Sequence, residues 1–347
     1  MQKNKKHISY PKIGQFRDVI RAIRLKSRYV GNDENGEPMY DNSLPIPTVK
    51  FQGTVKLHGT NASVSCNNDH FWIQSRKNII STQNDNAAFA FFINSRLMVI
   101  NGLINKIVDC ENIDTSIYTV TLYGEWAGKG IQRGVAINKI DKSWFLFGAK
   151  VSKIGDDEFN SYWVPINGIK NTEARIYNIF DFKKYEIDIN FEQPELAQNK
   201  LEEITMSVEK HCPVAEAFDY DGFGEGVVWV GEYKNDMYRF KVKGEKHSVT
   251  KVKTLAPVDV EKLNSINEFV DYVVTQNRFE QAVTETIEDG LLDIKKMGDV
   301  IRWVINDIIS EEISTLSENN LEPKDVNKNI SNKVRQMFFE AMNKEEM

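Results

Sequence analysis

The chain has 347 residues, 41% of them apolar, and its 44 Lys and Arg against 50 Asp and Glu leave a net charge of −6. That length holds one large or two ordinary domains with a real core, and the mild acidity excludes a globally basic surface, so any nucleic-acid contact must be local. Three cysteines (Cys66, Cys110 and Cys212) in no paired-ligand spacing argue against disulfides and zinc and for a reducing cytoplasm.

In chain order, the first thirty residues set Lys3, Lys5, Lys6, Lys12, Arg17, Arg21, Arg24, Lys26 and Arg28 against Asp18 alone, a local candidate for nucleic acid. Phe16, Val19, Ile20 and Ile23 recur at helical spacing and predict a short basic amphipathic helix. Residues 31–47, rich in Gly, Asn, Asp and Pro, read as a loop. It leads into a strand over Val49–Val55, which delivers Lys56 into the turn Leu57-His58-Gly59-Thr60-Asn61.

Further strands are expected over Ala62–Ser65, Phe71–Gln74, Tyr118–Gly124, Ser143–Val151, Gly226–Val230 and Tyr238–Val242, with helices around residues 86–108 and 195–211. The pattern predicts an α+β domain of antiparallel sheets with helices packed outside. No signal peptide or membrane span is expected, because the most apolar run, Ala87 to Val108, is broken by Asn94, Ser95, Arg96, Asn101 and Lys106.

After Ala256-Pro257 the periodicity is helical: Ile266, Phe269, Val270, Val273 and Val274, then Met297, Ile301, Val304, Ile305 and Ile308, then Val334, Met337 and Phe338. Asn319, Asn320 and Pro323 punctuate the last two helices. The division expected is a domain over residues 1–255 and a small all-α domain over residues 256–347.

Several residues could carry chemistry. A lysine attacks only as the free amine, which burial or a cationic neighbour favours. Lys241 and Lys243 alternate along a strand and leave the same face, where two cations suit a triphosphate. Glu125 follows Gly124 and could accept ribose hydroxyls, and Glu225 stands between two glycines before a buried strand. Asp307 and Glu311 lie one helical turn apart. Each has a plainer reading: a solvated lysine, the polar face of a strand, a turn glutamate, an exposed helix face.

Lys56–Asn61, Gln74-Ser75-Arg76-Lys77, Tyr123–Gly128, Trp144–Phe147, Glu225–Val230 and Phe240–Lys243 resemble, in order and spacing, the motifs of covalent nucleotidyltransferases. The Lys-x-His-Gly-Thr-Asn form and the run Gly124–Gln132 are similar to the T4 RNA ligase 2 family of ATP-dependent RNA ligases. The helical tail, with Val274–Arg278 and Asp307–Glu311, resembles that family's C-terminal domain, whereas DNA ligases and capping enzymes usually carry a β-barrel there. The resemblance covers most of the chain, from about residue 52 to 311, and is weakest in the N-terminal fifty residues and over residues 152–221.

It implies a ligase that seals RNA 5′-phosphate and 3′-hydroxyl ends, using ATP with Mg²⁺ or Mn²⁺. Lys56 would be the nucleophile, aided by Glu225, Lys241, Lys243 and His58. Asn61, Arg76, Glu125, Phe147, Val228, Glu225, Lys241 and Lys243 would bind the nucleotide, Phe147 and Val228 covering the two faces of adenine. Glu225 would also serve the metal, and Arg278, Asp307 and Glu311 the sealing of nucleic acid. RNA and ATP are the partners implied, for a monomer in the cytoplasm, with a phage-encoded enzyme as one source.

Two positions depart from the pattern: Val230 where family members commonly have lysine, and Gly148 where they often have aspartate. The first predicts slower or substrate-restricted adenylyl transfer. A ligase for DNA or RNA–DNA hybrid nicks, and a catalytically dead nucleic-acid-binding module, remain open alternatives.

Overall fold

The structure is a computed structural model and describes residues 5–244, 266–287, 292–318 and 321–345. The expected domain boundary at 255/256, together with Lys3, Asn319 and Asn320, lies outside the described residues. The chain divides into two interleaved units, the first formed by residues 1–12, 57–184 and 211–224, the second by residues 13–56, 185–210 and 225–347.

In chain order the elements begin with α1 (Phe16–Arg28), β1 (Tyr29–Asn32), β2 (Pro38–Tyr40), β3 (Thr48–Lys56), β4 (Thr60–Cys66), β5 (Phe71–Ser75) and β6 (Ile79–Ile80). Then come α2 (Phe89–Asn94), α3 (Leu97–Glu111), β7 (Tyr118–Ala127), β8 (Ser143–Lys153), β9 (Asp156–Val164), β10 (Ile176–Asn178), β11 (Lys184–Asn190), α4 (Gln198–Lys210) and α5 (Pro213–Glu216). The rest are β12 (Gly226–Tyr233), β13 (Asp236–Lys243), α6 (Ile266–Val273), α7 (Gln276–Thr286), α8 (Met297–Glu311), α9 (Ile313–Glu318) and α10 (Pro323–Glu345).

The first unit is built on a sheet of order β10-β8-β7-β4-β5-β6, with β9 paired to β8. Its pairings are antiparallel except β10 on β8. Helix α3 buries Ile100, Leu103, Ile104 and Ile107 at helical spacing against Val64, Leu122 and Leu146 of the sheet. It stops at Asn112, whose φ of 50° suits a residue that tolerates the left-handed region. Residues 5–12 are held by the buried amide of Gln74, which accepts from Ile8 N at 2.8 Å and donates to Ile8 O at 3.2 Å.

The second unit carries the sheet β11-β3-β12-β13, in which β12 pairs antiparallel with both β3 and β13. One face is an aromatic core of Phe51, Trp229 and Phe240, joined by Phe16 of α1 and by Phe191. Gly53 makes room for it, since a Cβ there would lie 2.9 Å from the Trp229 ring. The predicted stripe of α1 is buried, and Asp18 is spent on capping it, accepting from Gln15 N at 2.9 Å. The predicted stripes of the tail meet in a separate core of Phe269, Val304, Ile308, Val334 and Phe338.

Four local expectations are corrected. Residues 31–47 contain most of a β1–β2 hairpin rather than plain loop. The helix around 86–108 is two helices, entered through Ala87 and Ala88 at φ of 50° and 66°. Strand β7 runs to Ala127, so Glu125 lies within it and not after it. The basic N-terminal run is partly spent inside the unit: Arg24 donates to Phe191 O and Glu192 O, and Lys26 pairs with Asp236.

Candidate active site

Antiparallel register puts directly opposed residues on the same face of a sheet. In the second unit, the face opposite the aromatic core therefore carries three rows. Lys56, Gly226 and Lys243 form the first; Thr54, Val228 and Lys241 the second; Gln52, Val230 and Arg239 the third. Gly226 is required by the first row: its φ is +150°, and a Cβ would fall 2.1 Å from Val242 O. The cation missing at Val230 has a counterpart in the same row, Arg239.

Glu225, only 2% exposed, precedes this row and bridges its two lysines. Its carboxylate lies 2.5 Å from Lys56 Nζ and 3.5 Å from Lys243 Nζ. A buried carboxylate persists as an ion only when paired in this way.

From the helical tail, Glu311 at the end of α8 brings Oε1 to 2.5 Å from Lys241 Nζ. The two strand lysines respond in opposite directions. Burial pulls Lys241 below the ordinary lysine range, helped by Lys243 and Lys56 and only partly offset by Glu311. Burial acts on Lys243 too, but Glu225, Glu311 and Asp307 outweigh it and raise that ammonium above its usual range. The face is thus a cationic surface already covered by carboxylates.

Behind Glu311 lies a polar network that the sequence reading did not foresee beyond Arg278 and Asp307. Arg278, fully buried, donates from Nε to Asp307 Oδ2 at 2.9 Å and from Nη1 to Val273 O. Its Nη2 lies 3.9 Å from Glu312 Oε1. Glu312, 2% exposed, also pairs with Arg17 of α1 and accepts from Thr315 Oγ1 at 3.1 Å. Gln15 Nε2 donates to Glu311 O at 3.3 Å. Burial opposes the charge on Arg17, but Glu312 outweighs it and raises the guanidinium's pKa. The signal available was weak: Glu311-Glu312 reads as a solvated acidic pair until both partners are folded against it.

The first unit holds the other predicted residues. Asn61 and Glu125 are opposed on β4 and β7, and Glu125 Oε1 accepts from Gly59 N at 3.0 Å, so the carboxylate orders the turn after Lys56. Only glycine fits at 59, because a Cβ would lie 2.3 Å from Trp126 O. His58 is half-buried in that turn. Arg76 is exposed and donates from Nη1 to Tyr10 O at 2.9 Å.

Phe147 is the extra residue of a β-bulge: Tyr123 opposes Gly148 and Gly124 opposes Leu146, with nothing opposite Phe147. A bulge re-aims the side chain it carries. The half-buried ring meets Tyr10 edge-on, with centroids 4.9 Å apart. Beside it, Gly148 is covered by Trp163, whose ring would lie 3.3 Å from a Cβ there. In this chain aromatic rings fill the space where an aspartate was expected.

Among the described residues no group of three or more His, Cys, Asp or Glu side chains converges as a metal cluster, and no helix is long and apolar enough to cross a membrane. Cys66, Cys110 and Cys212 are all unbridged.

No curated protein sequence matches the chain. Among solved structures it is similar to a Naegleria gruberi RNA ligase mutant with AMP and Mn, at 15% identity and TM-score 0.40, covering 70% of this chain and 58% of that one. It is also similar to the Naegleria gruberi RNA ligase with PPi, at 14% identity and TM-score 0.40, covering 70% and 60%. The chain thus spans less than two thirds of those structures, and a likeness so slight leaves the family to the sequence match. The sequence model described as RNA ligase matches residues 49–253, more than half of the chain and the stretch that carries Lys56, Glu225, Lys241 and Lys243. The chain belongs to the RNA ligase family.

Proposed function

We propose that this protein is an ATP-dependent RNA ligase of the T4 RNA ligase 2 type, which seals 5′-phosphate and 3′-hydroxyl ends at nicks in duplex RNA. The observation that carries the reading is Lys56 held at 2.5 Å by a buried Glu225, in one row with Lys243 and beside Lys241, within a family match. A binding module has no use for a nucleophile fixed in this way beside two further lysines.

Lys56 Nζ attacks the α-phosphorus of ATP as the free amine, its proton passing to solvent. The new P–N bond replaces the P–O bond to pyrophosphate, and the product is a lysyl-AMP phosphoramidate. Lys241 and Lys243 steady the phosphate charge that develops, the main demand of phosphoryl transfer. The AMP then passes to the 5′-phosphate end of the RNA, and the 3′-hydroxyl displaces it to close the strand.

His58 and Asn61 shape the turn beside the reacting lysine. Glu125 holds that turn and receives the ribose, Arg76 serves the ribose and 5′-phosphate, and Phe147 and Val228 cover the adenine. Arg278 acts through Asp307, which it orients from a fully buried position, and Glu311 shares that face of α8.

A metal caged by protein side chains does not fit the donor set. A Mg²⁺ or Mn²⁺ shared between one carboxylate, Glu225, and the nucleotide phosphates does. When bound, such an ion supplies charge neutralisation at the phosphates.

The duplex-RNA preference and the division into domains 1–255 and 256–347 rest on the motif form around His58 and on the helical tail. Three unbridged cysteines suit a reducing cytoplasm. The test is single-turnover sealing of a nicked duplex in which each strand is RNA or DNA in turn. Sealing with RNA at the nick is expected; sealing of all-DNA nicks at equal rate would transfer the reading to a DNA ligase.

A further inference from the structure

We propose that a cavity of about 550 Å³ in the first unit binds one ribonucleotide of the RNA substrate, an assignment that rests on the ligase reading above. The cavity is lined by Gly134, Asn138, Lys139, Gly222, Phe223 and the exposed Arg133. Its size falls within the range of small-ligand sites.

Each part of a ribonucleotide meets a matching group. Arg133 and Lys139 are the charged lining residues, and the lining has no acid, in a chain whose net charge is −6. Such a wall attracts phosphate. Phe223 is 42% exposed, large for an aromatic ring, and offers a face on which a base can stack. The Asn138 side-chain oxygen is buried without a hydrogen-bond partner. Asn138 as a whole is half-buried, but a buried carbonyl oxygen left so is costly unless a ligand pairs it. A ribose hydroxyl, donor and acceptor at once, suits a carboxamide in either orientation, and the 2′-hydroxyl is what separates RNA from DNA.

The backbone permits this shape. Gly134 and Gly222 sit at φ of +77° and +142°, and a Cβ on Gly222 would lie 3.2 Å from Ala136 Cβ. The rim is joined to the reactive turn, since Gln132, also in the lining, donates from Nε2 to Gly59 O at 3.4 Å. A nucleotide here lies beside the turn that follows Lys56.

The test is equilibrium binding of fluorescent RNA oligonucleotides to the full chain, comparing the wild type with Phe223→Ala, Arg133→Gln and Asn138→Leu. One oligonucleotide carries a 3′-hydroxyl end and the other a 5′-phosphate end, each also made with 2′-deoxy residues. Loss of stacking or of the guanidinium is expected to weaken RNA binding roughly tenfold, and the oligonucleotide that suffers identifies the strand seated here. Asn138→Leu is expected to abolish the preference for ribose over deoxyribose.

Unchanged RNA affinity and an unchanged ribose preference in all three variants would overturn the assignment. An equal loss of self-labelling by α-labelled ATP would also overturn it, because that marks a damaged nucleotide site rather than a lost RNA contact. If the wild type takes no label while its RNA binding responds to Arg133→Gln, the ligase reading fails and the ribonucleotide site stands.

Discussion

Glu311→Gln separates two demands that meet on the lysine face. In the structure Glu311 occupies Lys241 as a phosphate oxygen would, at 2.5 Å, with both side chains 17% exposed. A charge-assisted hydrogen bond contributes about 1.5–3 kcal/mol net, and the residual exposure reduces that to about 1–2 kcal/mol. An incoming phosphate must first break it. A glutamine keeps the shape but returns roughly half of that energy, so pyrophosphate should bind about two- to fivefold more tightly.

The pH dependence has a definite sign. Glu311 is the group that raises the pKa of Lys241 against burial. Without it the ammonium loses its proton at a lower pH. The gain in affinity is therefore fullest at mildly acidic pH and fades as pH rises through the new, lower value. Calorimetric titration of pyrophosphate into AMP-free wild type and variant, at mildly acidic and mildly alkaline pH, measures this. Equal or weaker binding by Glu311→Gln at acidic pH would refute the argument. Sealing by the same variant should fall, because Glu311 is proposed to serve the later step.

Glu225→Gln leaves Lys56 and Lys243 without their buried counter-charge, and should cost about 2–4 kcal/mol in urea denaturation and abolish AMP labelling. Arg278→Met strands Asp307 and Glu312; a loss of about 3 kcal/mol is expected, together with slower sealing of a pre-adenylylated nick. Arg278→Lys should not restore either property, since one ammonium cannot reach Asp307 and Val273 together. Val230→Lys sets two cations opposite each other with Arg239 and should destabilise by up to about 1 kcal/mol. It should leave the labelling rate unchanged; a faster rate would show that the row lacked a cation after all.

The strand lysines and their faces were legible because period-two alternation fixes direction without any tertiary knowledge. The tail helices were legible for the same reason at period 3.6. Phe147 was legible as an aromatic in a strand but not as a bulge, because the extra residue appears only when β8 is set against β7. Arg17 and Glu312 stand almost three hundred residues apart, and nothing local marks either as buried. The same holds for Tyr10, which lies in the N-terminal stretch where the family resemblance was weakest yet packs against Phe147. Contacts that depend on distant segments leave no periodic trace, so the partners of the site were harder to read than the site itself.

The central claim is that Lys56 carries AMP. The direct measurement is incubation of the purified chain with α-labelled ATP and Mg²⁺, beside Lys56→Ala and a GTP lane, with intact mass recorded beforehand to detect protein already adenylylated. The account predicts label from ATP on the wild type and none on Lys56→Ala or from GTP. An unlabelled wild type of unmodified mass, or label that persists in Lys56→Ala, would contradict it.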